Sequence, residues 1–133
     1  MSTRPRTQSS ALPNIPIRSH HFSAILPTIS PILTASAADL LAALQTHVET
    51  AGLRAVTQAG ATFQPQGVSI VLILEESHVA LHIWTECRKA TVDIHVCDYS
   101  QDNFTKAKFL TERLTAWIAG NDRPRWHYWC IEG

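Results

Sequence analysis

The stretch from Val68 to Cys97 constrains the fold of this chain more than any other. Val68 to Leu74 is an apolar run that stops abruptly at two carboxylates, Glu75 and Glu76. His78 to Trp84 and Lys89 to Cys97 then alternate apolar and polar residues, the period-two signature of strands. In the last of these, Ala90, Val92, Ile94 and Val96 form an apolar set, while Thr91, Asp93, His95 and Cys97 form a polar one. In the strand before it Val79, Leu81 and Ile83 oppose His78, His82 and Trp84. One face of this sheet must be covered, and the other carries an unusual concentration of His, Cys, Asp and Ser.

Register follows from the short connections. If Trp84 pairs with Lys89, Cys97 falls opposite the Glu76–Ser77 turn. If Leu74 pairs with Ser77 across Glu75-Glu76, Ser69 falls opposite His82. A slip of one residue would turn each side chain to the wrong face. Ser77 is a nucleophile on a tight turn, with a cysteine beside it. Ser77 and His82 lie roughly 16 Å apart along one strand, at ~3.3 Å per residue, and so cannot share a hydrogen bond. A two-fold dimer that lays the Ser77/Cys97 end of one subunit on the Ser69/His82 end of its partner would close the gap, giving two equivalent composite sites.

Around this block the chain reads as one domain. Residues 1–18 form a polar, proline-punctuated flexible tail and residues 19–133 the folded unit. His21 to Leu26 is a first strand, ended by Pro27 and Pro31. Ala35 to Ala51 is a helix with Ser36 as N-cap, Asp39 three residues on and Gly52 as the stop. Leu40, Leu41, Leu44 and Val48 face its core side. Leu53 to Phe63 is a strand weakened by Gly60. Phe104 to Ile118 is a second helix, its mostly apolar stripe made by Phe104, Ala107, Lys108, Leu110, Leu114, Trp117 and Ile118. Arg125 to Ile131 is a last strand at a sheet edge. The expected class is α+β, an antiparallel sheet with two helices packed on one face and a polar face that forms the dimeric active site.

Composition narrows the function. Eleven basic residues balance eleven acidic ones, so nothing in the charge calls for nucleic acid or an anionic membrane. No apolar run approaches the ~20 residues of a membrane span, and the first residues lack a secretory apolar segment. Three cysteines, Cys87, Cys97 and Cys130, without disulfide or zinc spacing fit a reducing, cytoplasmic setting. His20, His21, His47, His95 and His127 show no ligand spacing, and no metal is expected.

Phe63-Gln64-Pro65-Gln66-Gly67-Val68-Ser69, Glu76-Ser77-His78, His82-Ile83-Trp84-Thr85-Glu86, Asp93 and Cys97 together resemble the small prokaryotic S-adenosylmethionine decarboxylase proenzymes. The resemblance runs from about Phe63 to Cys97. It implies a chain that cleaves itself between Glu76 and Ser77, with Ser77 becoming a covalently bound pyruvoyl group and neither PLP nor metal taking part. It implies that His82 and Ser69 assist processing and that Cys97 protonates the product. It also implies a small-molecule substrate bound through Phe63, against adenine, and Glu86, against ribose. A homodimer or higher homo-oligomer of cleaved protomers completes the picture.

The chemistry suits these residue types. Attack of the Ser77 hydroxyl on the Glu76 carbonyl turns an amide into an ester, which β-elimination then breaks. Histidine is the side chain best matched to such proton transfers near neutrality. The ketone left behind forms a Schiff base with the substrate amine and takes up the electrons released with carbon dioxide. Each residue has a plainer reading beside this one: Ser77 an ordinary turn serine, Cys97 a small buried residue, His82 a hydrogen-bonded sheet histidine, Phe63 core, Glu86 solvated, His78 packing or capping the turn.

The chain departs from the family pattern at Thr85, where proline is usual, and at Cys87-Arg88-Lys89, where a Tyr-Gly-Tyr-like turn is usual. Asp98 replaces a glycine, and Glu75 a small residue. These changes touch the pocket's surroundings rather than the processing apparatus. S-adenosylmethionine, as used in polyamine and spermidine biosynthesis, is the first substrate reading. L-ornithine or L-arginine on the same scaffold is the second, and a non-catalytic regulatory paralogue the third. A Ser–His–Asp hydrolase is disfavoured by the lack of a Gly-x-Ser-x-Gly elbow.

Overall fold

The computed structural model describes residues 15–99, 101–121, 123 and 125–133. Most of the expected tail thus lies outside the described residues. Six strands, β1 (Arg18–Pro27), β2 (Ala55–Thr62), β3 (Val68–Leu74), β4 (Ser77–Trp84), β5 (Lys89–Asp98) and β6 (His127–Glu132), form one sheet in the order β2-β3-β4-β5-β1-β6. Every neighbouring pair is antiparallel. The helices are α1 (Ser30–Thr34), α2 (Ala37–Thr50) and α3 (Phe104–Ala119).

The central meander has the register expected from the short turns. Leu74 pairs with Ser77, Ser69 with His82 and Trp84 with Lys89. Strand β1 begins at Arg18, three residues earlier than its apolar pattern suggests, because its polar half pairs with both β5 and β6. Ile17 and Gly133 continue the second pairing by exchanging backbone hydrogen bonds of 2.7 and 3.1 Å.

Two long helices were expected, and both are present. Ser36 caps α2 by accepting the Asp39 N–H at 3.1 Å, and Gly52 ends it at φ +91°, a conformation that only glycine takes without strain. The third helix, α1, is a single turn with Pro31 in its first turn. Two prolines were read as strand breakers, but proline in a first helical turn forfeits no bond and helps to start one.

One layer of side chains holds sheet and helices together. Leu40, Leu44 and Val48 of α2 meet Leu110, Leu114 and Ile118 of α3 and the apolar rows of β3, β4 and β5, all of them almost fully buried. Truncating one such leucine costs about 2–5 kcal/mol. On α3 the buried stripe includes Thr111 and Thr115, which the expected stripe leaves out, and it leaves Lys108, which that stripe includes, exposed. Both hydroxyls return to the helix backbone, Thr111 to Lys108 O at 2.6 Å and Thr115 to Thr111 O at 2.7 Å. Donors satisfied this way cost little to bury. Gly60 sits where α2 packs tightly on the sheet: a Cβ there would lie 3.2 Å from Leu41 and 3.4 Å from Ala37.

Candidate active site

With the helices on one face, the opposite face of the sheet stays open. The alternation places Ser69, His78, His82, Thr91, Asp93, His95 and Cys97 on it, joined from β1 by Ser19, His21 and Ser23 through the β1–β5 pairing.

One end of this face is built on the β3–β4 turn. That turn is two residues long and holds no glycine, and the positive φ falls on Ser77, at 143°. A non-glycine residue in this region costs on the order of 1–3 kcal/mol and persists only where its surroundings impose it. Here they do. The Glu76 carbonyl accepts the Cys97 N–H at 3.0 Å. The Glu76 side chain, 7% exposed, accepts from Tyr99 N at 3.0 Å, Asn103 Nδ2 at 3.0 Å and Gln101 Nε2 at 3.4 Å. Ser77 itself lies opposite Val96, so the cysteine stands one residue further along the neighbouring strand.

The Cys97 thiol is 3.6 Å from His95 Nε2 and 3.8 Å from Ser19 Oγ. Ser19 Oγ also hydrogen-bonds His95 Nε2, and His21 Nε2 at 3.0 Å. Three rings stack in sequence: His95 on His21 at 4.1 Å, and His21 on Trp129 at 4.7 Å; His78 meets His95 edge-on at 5.2 Å. Burial, then repulsion from His21 and His78, lowers His95 to about 4. Burial also lowers His21, helped by His78 and His20 and opposed by Asp93. The His95 ring beside the thiol is therefore uncharged at neutral pH. Among the described residues no group of three His, Cys, Asp or Glu side chains is placed to hold a metal ion.

At the other end of the face, Ser69 Oγ and His82 Nδ1 share a hydrogen bond of 2.7 Å. Beyond them Gln66 Nε2 donates to Glu86 at 3.3 Å, and Phe63 stands half out in solvent at the start of the same loop. Phe63 N–H bonds Gly67 O at 2.8 Å, closing that loop. The structure thus brings together Ser69 with His82, and Cys97 with Glu76, leaving Ser77 one residue off along the ladder. It keeps the two groups about five strand residues apart, roughly 16 Å.

Sequence reasoning missed three groups. His21 and His95 meet across β1 and β5, whose pairing joins residues some sixty to eighty positions apart; no local pattern reveals it. His20, 4% exposed, bonds Asp98 at 2.8 Å and the Tyr128 hydroxyl at 2.7 Å. It lines a recess of about 740 Å³ with Arg18, Asp98, Phe104 and Tyr128. Burial pushes the Asp98 carboxyl up, but the Asn103 N–H and the His20 ring outweigh it and hold the group below its usual value. Asn103 is the third, its side chain turned from the helix toward Glu76.

Residues 20–119 match the family model described as S-adenosylmethionine decarboxylase. Among similar proteins, the S-adenosylmethionine decarboxylase proenzyme of Acetivibrio thermocellus is 43% identical over 54 residues, 41% of this chain and 44% of that protein. That of Moorella thermoacetica is 36% identical over 77 residues, 52% of this chain and 62% of that protein. The chain thus matches about half the length of these curated relatives. The crystal structure of the adenosylmethionine decarboxylase from Aquifex aeolicus superposes with a TM-score of 0.60 at 22% identity, over 86% of this chain and 88% of that one, a likeness of fold. A family model that matches most of the chain, strands β1 to β5 and both long helices, settles its descent: the chain belongs to the S-adenosylmethionine decarboxylase family.

Proposed function

We propose that this protein is a self-processing, pyruvoyl-dependent decarboxylase that cleaves its own chain between Glu76 and Ser77 and acts on S-adenosylmethionine in polyamine biosynthesis. The observation that carries the proposal is the strained Ser77, at φ 143°, directly after a peptide whose carbonyl rests on the Cys97 N–H. Strain in the ground state lowers the barrier to rearrangement. A backbone N–H on the scissile carbonyl stabilises the oxyanion that forms when the Ser77 hydroxyl attacks.

Removal of a proton from the Ser77 Cα then expels the Glu76 carboxylate, and hydrolysis of the resulting enamine releases ammonia. The residues present fit a pyruvoyl group at position 77, since this half-buried residue sits on a bend opposite Val96, one residue from Cys97 on the neighbouring strand. Such a group supplies a carbonyl that condenses with the substrate amine and accepts the electrons freed by loss of carbon dioxide. Cys97 delivers the proton that completes the product, with neutral His95 holding the thiol from the side.

His82, oriented by Ser69, acts as the base or proton carrier in processing. It lies too far along β4 to serve Ser77 of its own subunit, which supports a two-fold homodimer whose open faces pack together, each site drawing on both protomers. Phe63 and Glu86, on the His82 side, then hold the adenine and ribose of the substrate. A cytoplasmic location accords with three cysteines that are all free. Among the described residues no helix is long and apolar enough to cross a membrane.

Intact-mass measurement of the purified protein tests the core of this reading. We expect two fragments split before residue 77, the downstream one carrying a ketone in place of its amine. A single uncleaved chain sinks the enzyme and leaves the regulatory paralogue. Carbon dioxide release from S-adenosylmethionine, L-ornithine and L-arginine, assayed side by side, tests the substrate. Release from the amino acids alone rejects S-adenosylmethionine.

A further inference from the structure

Asn103 stands at the N-cap of α3, where asparagine ordinarily accepts a hydrogen bond from the helix backbone. Here it makes no such bond. Asp102 takes up the first-turn N–H instead, its carboxylate accepting from Phe104 N at 2.9 Å. The Asn103 side chain, 1% exposed, turns back to the sheet. Its Nδ2 donates to Glu76 Oε2 at 3.0 Å and to the Cys97 carbonyl at 2.9 Å, and its backbone N–H donates to Asp98 Oδ1 at 2.9 Å. Two acceptors on one side settle which end of the amide is nitrogen. One buried amide thus ties the residue before the scissile bond to the residue that carries the thiol.

We propose that Asn103 is a positioning residue for self-cleavage and for the site that cleavage leaves behind, an inference that rests on the cleavage reading above. A buried carboxylate has to be matched by donors, or it moves to water. By fixing the Glu76 side chain, Asn103 holds the Glu76 carbonyl on the Cys97 N–H while the Ser77 hydroxyl adds to it. The C–N bond then breaks, the amine stays on Ser77 and the acyl group passes to its oxygen. In the elimination the Cα proton goes to the base, the Cβ–O bond breaks, and Glu76 departs as a new chain end with two carboxylates. The Cys97 N–H faces one and Asn103, Gln101 and the Tyr99 N–H face the other, so the new terminus stays docked and Cys97 keeps its place beside residue 77.

Cleavage of freshly made protein, followed by intact mass against time, tests this on wild type, Asn103→Asp, Glu76→Gln and the double variant. Asn103→Asp preserves shape but sets a carboxylate against two acceptors, and we expect it to slow cleavage roughly tenfold or more. The double variant returns one donor to the Glu76–Asn103 contact with its direction reversed, and we expect it to cleave faster than Asn103→Asp alone, a recovery that mere loss of core stability does not produce. Thermal melting of each change in a Ser77→Ala background shows that the precursors fold. Should Asn103→Asp fail to fold, Asn103→Ser, which keeps one hydroxyl donor, must show the same slowing in smaller degree. Wild-type-rate cleavage by Asn103→Asp, or by Asn103→Ser where it stands in, overturns the inference, as does a double variant no faster than Asn103→Asp. A wild type that never cleaves overturns instead the reading beneath it.

Discussion

The two ends of the open face are built on opposite principles. The Ser77 end is strained and gripped: a positive φ on a side chain that dislikes it, a buried carboxylate held by donors from Tyr99, Gln101 and Asn103, and a thiol beside stacked rings. The His82 end is regular and open, a paired Ser69 and His82 in unbroken ladder register with Phe63 and Glu86 in solvent beyond. On the function proposed above, the contrast separates making an electrophile from receiving a substrate. Bond rearrangement profits from a fixed, loaded geometry, whereas a substrate needs room to enter.

Breaking the strained end gives the largest effect. Ser77→Ala removes the nucleophile, so the chain should stay whole by mass and show no turnover. Cys97→Ala keeps the Cys97 N–H on the Glu76 carbonyl but removes the proton donor. Cleavage should persist, while turnover falls on the order of 100-fold or more; equal losses in both would erase the distinction between oxyanion contact and acid.

Whether the two ends serve one another across subunits is sharpened by co-expressing Ser77→Ala with His82→Ala. In a composite site each mixed dimer retains one intact centre, so about a quarter of wild-type activity should return from two nearly inactive parents. No recovery would confine the site to one chain.

A smaller effect comes from pH. His95 is neutral when folded down to about 4, against 6.5 for an unperturbed ring. Between these values the unfolded chain binds the extra proton and the folded one does not, so the His95 contribution to stability is complete above about 6.5 and declines as pH falls toward 4. Melting temperatures should drop over that window, and less steeply in His95→Gln. The smallest effect belongs to a turn near the open end. Arg88 takes φ 55°, a conformation glycine adopts freely, and Arg88→Gly should leave stability within about 1 kcal/mol of wild type by chemical denaturation.

Much of this was legible in the sequence wherever the physics is local. Period-two alternation set the faces of β4 and β5, and turns of two and four residues set the register that pairs Ser69 with His82. A serine, an acid three residues on and a later glycine marked both ends of α2. Where partners are distant in the chain, residue patterns fell silent. His21 and His95 touch only because β1 inserts between β5 and β6, and His20 finds Asp98 and Tyr128 only through the same insertion. Thr111 and Thr115 are absent from the expected apolar stripe of α3 because their hydroxyls' satisfaction within the helix cannot be seen in a residue's polarity.

The amino-acid order alone determined which side chains share a face and where the chain must turn, since both depend on backbone geometry over a few residues. Only the tertiary structure decided that the turn would be loaded. The strain at Ser77 exists because Cys97, twenty residues on, and Asn103, on a helix of the other layer, hold Glu76 from two directions at once. Such a grip arises from closing distant parts of the chain on one another, and no local preference encodes it.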